Sequence, residues 1–221
     1  MTRSRLRIVK PAPRIHVLAG ANGAGKSSIA GAIFRESGAD YYNPDEAAAV
    51  LRRKNPGIDR SQANSTAWHV GRTLLERAIA GRQDFAIETT LGAASIPRLL
   101  AEAAARGLEV RVWFAGLATP ELHIERVRAR VRRGGHDIPE EAIRRRFEHS
   151  RINLIQLLPA LAALRVYDNS ADADPAAGQS PEPRLTLHME HGKIMGPDNL
   201  SATPQWAKPI VAAALKMHGA S

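Results

Sequence analysis

The chain has 221 residues, no cysteine and a formal net charge of +9 at pH 7. This length suits one buried domain, and the missing cysteines exclude disulfides, a thiolate metal site and a cysteine nucleophile. A reducing, cytoplasmic compartment fits their absence, no apolar stretch is long enough to span a bilayer, and residues 1–14 lack the apolar core of a secretory signal. The arginine-rich positive charge favours anionic partners, namely nucleotides, phosphorylated metabolites or, less readily, nucleic acid.

Apolar runs and helical periodicity alternate along the chain. Short apolar runs predict strands at residues 14–20, 41–42, 85–88, 108–115 and 166–168. Periodicity and capping residues predict helices at 26–37, from 43 onward, and at 61–80, 96–106, 120–133, 137–158 and 205–217. On the 61–80 helix the predicted buried face comprises Ala67, Val70, Gly71, Leu74, Leu75, Ala78 and Ile79.

This alternation implies an α/β fold, a parallel sheet covered by helices on both faces. Residues 172–183 are rich in proline, alanine and aspartate and predict a surface loop, followed by a hairpin around Gly192. The chain beyond Asp172 is too short for a core of its own. We therefore expect residues 1–221 to form a single domain, with residues 1–13 as a flexible N-terminal segment and the hairpin and last helix as an addition at the sheet edge.

A glycine-rich segment between the first predicted strand and helix has the Walker A spacing. We expect its backbone N–H groups and the helix N-terminus to bind the phosphates of ATP, with Lys26 reaching the β- and γ-phosphates and Ser27 binding Mg²⁺. Without nucleotide, Lys26 is expected to be exposed. The alternative is a strand–helix turn that binds nothing. The predicted nucleotide-binding residues are Gly20, Ala21, Asn22, Gly23, Ala24, Gly25, Lys26, Ser27 and Ser28.

Two acidic residues follow predicted strands, where ligands of α/β sheets bind. Asp45 comes after the second strand and is a candidate general base or substrate ligand, although an acid in a first helical turn also stabilises the helix dipole. Glu88 ends the third strand, where its carboxylate could contact Mg²⁺ or a substrate hydroxyl, unless it is a solvated strand end. Thr89 and Thr90 follow it as candidate substrate contacts.

The region of residues 120–158 is dense in arginine, and Gly134–Asp137 interrupts its helices as a plausible hinge for a lid over ATP. Such a run is commonly a solvated basic face. Helical phase, however, places Arg146 beside the apolar Ile143 and Phe147, so we expect its guanidinium to be partly buried and to need an anion. Arg144 is expected to face solvent. We name Arg146 as a candidate for clamping the transferred phosphoryl group. The further candidates are Arg130, which by the same count borders an apolar stripe, Arg133, which faces away from that stripe, and Arg145. His136 is a loop histidine that could contact nucleotide.

The order of these motifs resembles the zeta-toxin-like family of small P-loop kinases. The resemblance covers residues 14 to 170 and rests on Ala19–Ser27, Asn43-Pro44-Asp45, Glu88-Thr89-Thr90, Gly134–Pro139, Ile143–Arg146 and Asp168-Asn169-Ser170. It implies a P-loop NTPase fold like that of nucleotide and shikimate kinases. The residue patterns above add a helical lid and a small C-terminal hairpin–helix extension. This chain is shorter than the larger toxins and carries the Gly-Gly-His-Asp lid sequence of a compact subgroup.

The resemblance implies that the protein is a toxin-type kinase that uses ATP and Mg²⁺ to phosphorylate a sugar hydroxyl of UDP-N-acetylglucosamine, with an antitoxin protein as partner. Lys26 and Ser27 match the nucleotide and metal residues, Asp45 the general base, Glu88 and Thr90 the substrate strand, and the Arg130–Arg146 region the phosphate-clamping arginines. Three other functions stay open on the residues alone: a P-loop ATPase that drives a conformational change, a nucleic-acid end kinase, and a non-catalytic binding module.

Overall fold

In the described part of the chain, seven strands form one sheet in the order β2-β3-β1-β4-β5-β6-β7. The protein is described by a computed structural model that covers residues 11–26, 29, 41–171 and 182–219. Strands β1 to β5 run parallel, and β6 and β7 are antiparallel. The strands are β1 (Arg14–Ala19), β2 (Tyr41–Tyr42), β3 (Phe85–Thr89), β4 (Glu109–Gly116), β5 (Ala163–Asp168), β6 (Arg184–Glu190) and β7 (Lys193–Gly196). The predicted α/β fold with an edge hairpin is confirmed.

Helices connect β2 to β3, β3 to β4 and β4 to β5, as parallel pairing of these strands requires. The longer helices in the described part of the chain are α1 (Pro44–Lys54), α2 (Arg60–Gly81), α3 (Ser95–Ala105), α4 (Pro120–Arg132), α5 (Glu140–Leu157) and α6 (Lys208–His218). Lys26 and Ile29 are helical, while the rest of the predicted 26–37 helix lies outside the described residues, as do residues 172–181 of the predicted loop. None of the helices in the described ranges combines the length and apolarity needed to cross a membrane.

Strand β1 lies near the middle of the sheet and is buried on both faces. Ile15, Val17 and Ala19 point into the main core, while Leu18 packs in a smaller cluster on the opposite face. Each of these side chains has essentially no exposed surface. A strand covered on both faces reads as a continuous apolar run, which explains why β1 was predicted without ambiguity.

Helix α2 buries a narrow face of small side chains. Ala63, Ala67 and Gly71 lie against the rest of the protein, and Leu75 enters the main core. Val70, which the periodicity placed on this face, is 44% exposed, so that prediction was wrong. The buried stripe is narrow because close packing of alanine and glycine leaves no room for a broader apolar face.

Helix α6 and the short turn before it, Gln205–Ala207, pack against the main core. Trp206 and Ile210 belong to the same buried cluster as the residues of β1. The indole N–H of Trp206 donates to Asp168 Oδ1 at 3.0 Å. A Cβ on Gly116 would lie 2.3 Å from the Trp206 ring, so only glycine permits this contact. The expected edge addition is therefore correct for the hairpin, whereas α6 is part of the central packing.

The arginine-rich helices join at a turn that differs slightly from the prediction. Gly134 has φ +85° and ends the preceding helix, as expected. Helix α5 begins at Glu140 and not at Asp137, with Pro139 in the capping position. Proline disfavours helical geometry in the residue before it, so Ile138 cannot belong to α5.

Candidate active site

The phosphate loop leaves the carboxyl end of β1 and turns tightly under two helices. Gly20, Gly23 and Gly25 all have positive φ, at +136°, +84° and +76°. A Cβ on Gly23 would lie 2.5 Å from the backbone oxygen of His123, so this position requires glycine both for its φ and for the close approach of α4. The backbone path is thus the one that forms an anion nest.

Buried polar side chains hold the loop from two sides. His123 Nδ1 donates to the carbonyl oxygen of Asn22 at 2.8 Å, and Asn169 Nδ2 donates to that of Ala24 at 2.9 Å. Because a carbonyl oxygen only accepts, Nδ1 of His123 carries the proton. Burial lowers the pKa of His123 to about 4, so the imidazole is neutral at pH 7. The loop is therefore fixed in shape before any nucleotide binds.

The Lys26 side chain is folded back on the loop. Its Nζ donates to the carbonyl oxygen of Gly20 at 2.9 Å and lies 3.5 Å from Glu88 Oε1. Lys26 is only 8% exposed, so the expectation of an exposed side chain was wrong. The ammonium group is instead held by oxygen atoms that the phosphates of a nucleotide would replace. Ser27 and Ser28 lie outside the described residues.

Glu88 is a buried, oriented carboxylate. Its side chain is 11% exposed, which excludes a solvated strand end. Oε2 accepts from the Tyr41 hydroxyl at 2.8 Å and from Asn43 Nδ2 at 3.2 Å. Burial and the Glu88 charge raise the pKa of Tyr41, so its hydroxyl stays protonated as a donor. These two bonds hold Oε2 and leave Oε1 towards Lys26.

Asp45 is placed by the cap of α1. The Asn43 side chain accepts from the backbone N–H groups of Asp45 and Glu46, at 2.9 and 3.4 Å, while its amide nitrogen bonds Glu88. One asparagine thereby joins the start of α1 to the end of β3. Asp45 is exposed at the cavity wall, so its carboxylate is accessible to a ligand.

Arg146 reaches from α5 to the phosphate loop. Its Nη1 donates to Asn22 Oδ1 at 2.6 Å, and the side chain is half-buried, as the helical phase predicted. Burial lowers the pKa of Arg146, and the nearby Asp45 carboxylate raises it. Arg144, on the other side of α5, is 48% exposed and pairs with Glu121 at 2.5 Å. The expected solvent exposure of Arg144 is confirmed.

The other three candidate arginines do not line the cavity. Arg130 is half-buried under the lid turn, where its Nη2 donates to the backbone oxygen of His136 at 3.0 Å. Arg133 and Arg145 are exposed. Arg130 and Arg133 lie on the preceding helix and at its C-terminal cap, and Arg145 is turned about 100° away from Arg146 on α5. His136 itself does line the cavity; burial lowers its pKa, and Asp45 raises it.

A cavity of 390 Å³ brings most of the predicted side chains together. From the sequence-based candidates it is lined by Asn22, Lys26, Asp45, Glu88, Thr89, Thr90, His136 and Arg146. The sequence analysis missed a second wall, which α2 contributes through Ser61, Asn64, Ser65, Trp68 and Arg72. The signal for that wall was present, since these residues recur at helical spacing on the face of α2 that adjoins its alanines.

The residues of this cavity fit ATP and Mg²⁺. The nest of the loop and the buried Lys26 supply the donors that phosphates require. Protein sites commonly hold Mg²⁺ through one or two carboxylates, with water and phosphate oxygens completing the shell. Glu88 offers one oriented carboxylate here, and Ser27 follows Lys26 in the chain. Within the described residues no group of three or more His, Cys, Asp or Glu side chains is placed to hold a metal ion.

Comparisons with known proteins show which proteins this chain is similar to. A Haemophilus influenzae protein described as uncharacterized is 30% identical over 128 residues, which are 58% of this chain and 88% of that protein. The AvrRxo1-ORF1:AvrRxo1-ORF2 complex with sulphate ions has a TM-score of 0.65 at 15% identity, covering 91% of this chain. The chain spans only 63% of that matched chain.

The PezAT toxin–antitoxin system of Streptococcus pneumoniae has a TM-score of 0.51 at 17% identity, and the match covers 98% of this chain and 90% of that one. At such identities the two structures show a shared fold, which is that of P-loop kinases. Residues 2–174 match the Zeta toxin family, which is most of the sequence. The chain therefore belongs to the zeta toxin family.

Proposed function

We propose that the protein is an ATP-dependent phosphotransferase that moves the γ-phosphoryl group to a hydroxyl of a small molecule. The observation that carries the proposal is that one cavity is lined by the phosphate-loop Lys26, the accessible carboxylate of Asp45 and the guanidinium of Arg146. Phosphoryl transfer is catalysed mainly by positioning and by neutralising charge. These three side chains supply both.

ATP would bind with its phosphates in the nest of residues 20–26. Lys26 would exchange its present partners, Gly20 O and Glu88 Oε1, for phosphate oxygens. Ser27 and Glu88 would hold Mg²⁺, which neutralises charge on the phosphates when bound. His123 and Asn169 keep the loop carbonyls fixed during this exchange, so little reorganisation is required.

On the acceptor side, Asp45 would orient the hydroxyl and accept its proton. Arg146 lies between this carboxylate and the loop, since it bonds Asn22 and its charge interacts with that of Asp45. Its planar fork can bind two oxygens of the transferred group at once. Thr89 and Thr90 at the end of β3 would contact the acceptor. Arg130 would act by holding the lid turn at His136, whereas Arg133 and Arg145 would need the lid to move.

UDP-N-acetylglucosamine is the acceptor that we propose to test first, because family membership implies a sugar-nucleotide substrate. We also propose an antitoxin protein as partner and the cytoplasm as the compartment. Hydrolysis without an acceptor is disfavoured because the cavity extends past Asp45 to the wall formed by α2. That space is unnecessary for water but suits a second substrate.

Incubation of the purified protein with ATP, Mg²⁺ and UDP-N-acetylglucosamine tests this function directly. Mass spectrometry is expected to show the sugar nucleotide gaining one phosphoryl group, and the Lys26→Ala variant is expected to give none. Consumption of ATP with inorganic phosphate as its only product, both with this acceptor and with a cellular metabolite extract, would identify an ATPase and contradict the proposal.

A further inference from the structure

Helix α2 turns a polar stripe towards the cavity. Its members are three to four residues apart and therefore share one face of the helix. They are Ser61, Asn64, Ser65, Trp68 and Arg72. The buried alanines of α2 lie on the adjoining face, about 100° away in helical phase. Four of the five stripe residues are exposed, so the packing of the helix does not depend on them.

Trp68 differs from the other two tryptophans of the chain. Trp113 and Trp206 are 8% and 3% exposed, and Trp206 donates its indole N–H to Asp168. Trp68 is half-buried and lines the cavity, and its indole N–H has no hydrogen-bond partner within the described ranges. Its ring packs edge-on against the ring of His69, and the two ring centroids are 4.9 Å apart. A large aromatic surface with a polar N–H is thus available to a ligand.

The position of Trp68 is fixed by tight packing on either side of it. The Tyr42 hydroxyl donates to the backbone oxygen of Ala67 at 2.6 Å. A Cβ on Gly71 would lie 2.6 Å from the Tyr42 ring, so the helix approaches β2 as closely as glycine allows. The indole is therefore presented by a rigid element, which lowers the entropic cost of binding a ligand to it.

The phosphate-loop side and the α2 side of the cavity carry different charges. Lys26 and Arg146 lie on the side of the phosphate loop. On α2, Arg72 is already paired with Glu76 at 2.8 Å, and its neighbours in the stripe are neutral hydroxyl and amide groups. The end near Trp68 is therefore suited to an uncharged ring with hydrogen-bonding groups at its edge and not to a phosphate.

We propose that Trp68 is a specificity residue of the acceptor site, on which a polar ring of the acceptor stacks. Asn64 and Ser65, one turn earlier on α2, bond groups at the edge of that ring. This inference rests on the proposed function and adds the residue that contacts the ring of its acceptor, a sugar ring or a nucleobase. Both kinds of ring offer a face to an indole and polar groups at the edge.

Calorimetric titration with UDP-N-acetylglucosamine, in the presence of a non-hydrolysable ATP analogue, tests the role of Trp68 without turnover. Trp68→Ala is expected to weaken binding roughly tenfold or more, the scale of a lost stacking contact. Trp68→Phe keeps an aromatic face and is expected to stay within a few-fold of the original affinity. Val70→Ala, an exposed position on the same helix outside the cavity, is the matched control and is expected to change nothing.

Titrations with UDP and with N-acetylglucosamine separate the two sources of the ring. A loss of affinity in Trp68→Ala for UDP assigns the stacked ring to the nucleobase, and a loss for N-acetylglucosamine assigns it to the sugar. Unchanged binding of all three compounds in Trp68→Ala, or no binding of any of them by the original protein, would overturn the proposal. If only the proposed function is wrong, the result will be different. Acceptor binding will then still depend on Trp68, but no phosphoryl group will be transferred.

Discussion

The phosphate loop and the arginine-rich region of residues 120–158 both carry the charge that a phosphoryl group requires, but they are built differently. In the loop, the donors are backbone N–H groups and one lysine, and carbonyl contacts from His123 and Asn169 fix their positions. In the arginine-rich region the donors are long side chains on two helices. Arg146 enters the cavity, while Arg144 and Arg128 pair with glutamates at the surface.

The difference between backbone donors and long side chains explains which sequence motifs can locate a binding site. A glycine spacing sets a backbone path, so the donors lie at the site wherever the motif forms. An arginine on a helix can point in any direction that its phase allows, and about 100° separates consecutive residues. Of the four arginines proposed as phosphate contacts, only Arg146 lines the cavity. The loop should therefore tolerate less change than most of the arginine-rich region.

The largest effect is expected for the lysine of the loop. Lys26→Ala should abolish phosphoryl transfer, because it removes the charge that reaches the β- and γ-phosphates. It should also lower the free energy of unfolding by about 1–3 kcal/mol, since Gly20 O and Glu88 lose a buried partner. Lys54→Ala, at an exposed end of α1, is the control for both measurements. Undiminished transfer by Lys26→Ala would refute the assignment of the loop.

The acidic wall opposite the loop is tested by Asp45→Asn. If Asp45 handles the acceptor hydroxyl, this variant should bind ATP normally and transfer the phosphoryl group more slowly by roughly two to four orders of magnitude. The neighbouring Glu46→Gln should keep normal rates, because an amide oxygen can still accept from Asn43. A loss of ATP affinity in Asp45→Asn would instead indicate a metal-binding or capping role.

The contrast within the arginine-rich region is tested by two conservative changes on one helix. Arg146→Lys should slow transfer roughly a hundredfold at saturating ATP, because a lysine cannot replace the planar fork. Arg144→Lys should be almost silent, since its partner Glu121 is exposed and such pairs contribute little. A sensitive Arg144 together with a tolerant Arg146 would mean that the lid docks by the other face of α5.

The last prediction concerns stability and not phosphoryl transfer, at His123, where α4 touches the loop. Its folded-state pKa of about 4 lies below the ordinary value of 6.5, so the unfolded chain binds the extra proton first as the pH falls. Stability should therefore decrease from pH 6.5 to pH 4, by roughly 3 kcal/mol for this residue. Denaturant unfolding of His123→Gln should show a shallower decrease. The exposed His149→Gln variant should lose stability with falling pH as the original protein does. If the unfolding free energy of all three proteins changed equally with pH, the prediction for His123 would be wrong.

The sequence predicted those parts of the site that strand ends determine. Glu88 and Asp45 were located because parallel strands bring their carboxyl ends to one edge of the sheet. Trp68 was not located, because the sequence analysis of α2 considered only the apolar stripe beside it. The buried ion pair of Lys26 with Glu88 also escaped prediction, since no local pattern shows which distant side chain meets a lysine.

The fate of the γ-phosphoryl group tests the central claim most directly. The protein would be incubated with γ-labelled ATP and Mg²⁺, with and without a cellular metabolite extract, and the label followed into organic and inorganic phosphate. We expect the extract to direct the label into an organic phosphate ester, and we expect Asp45→Asn to lose that product. Label that appears only as inorganic phosphate, at the same rate with and without the extract, would contradict a phosphotransferase and identify an ATPase.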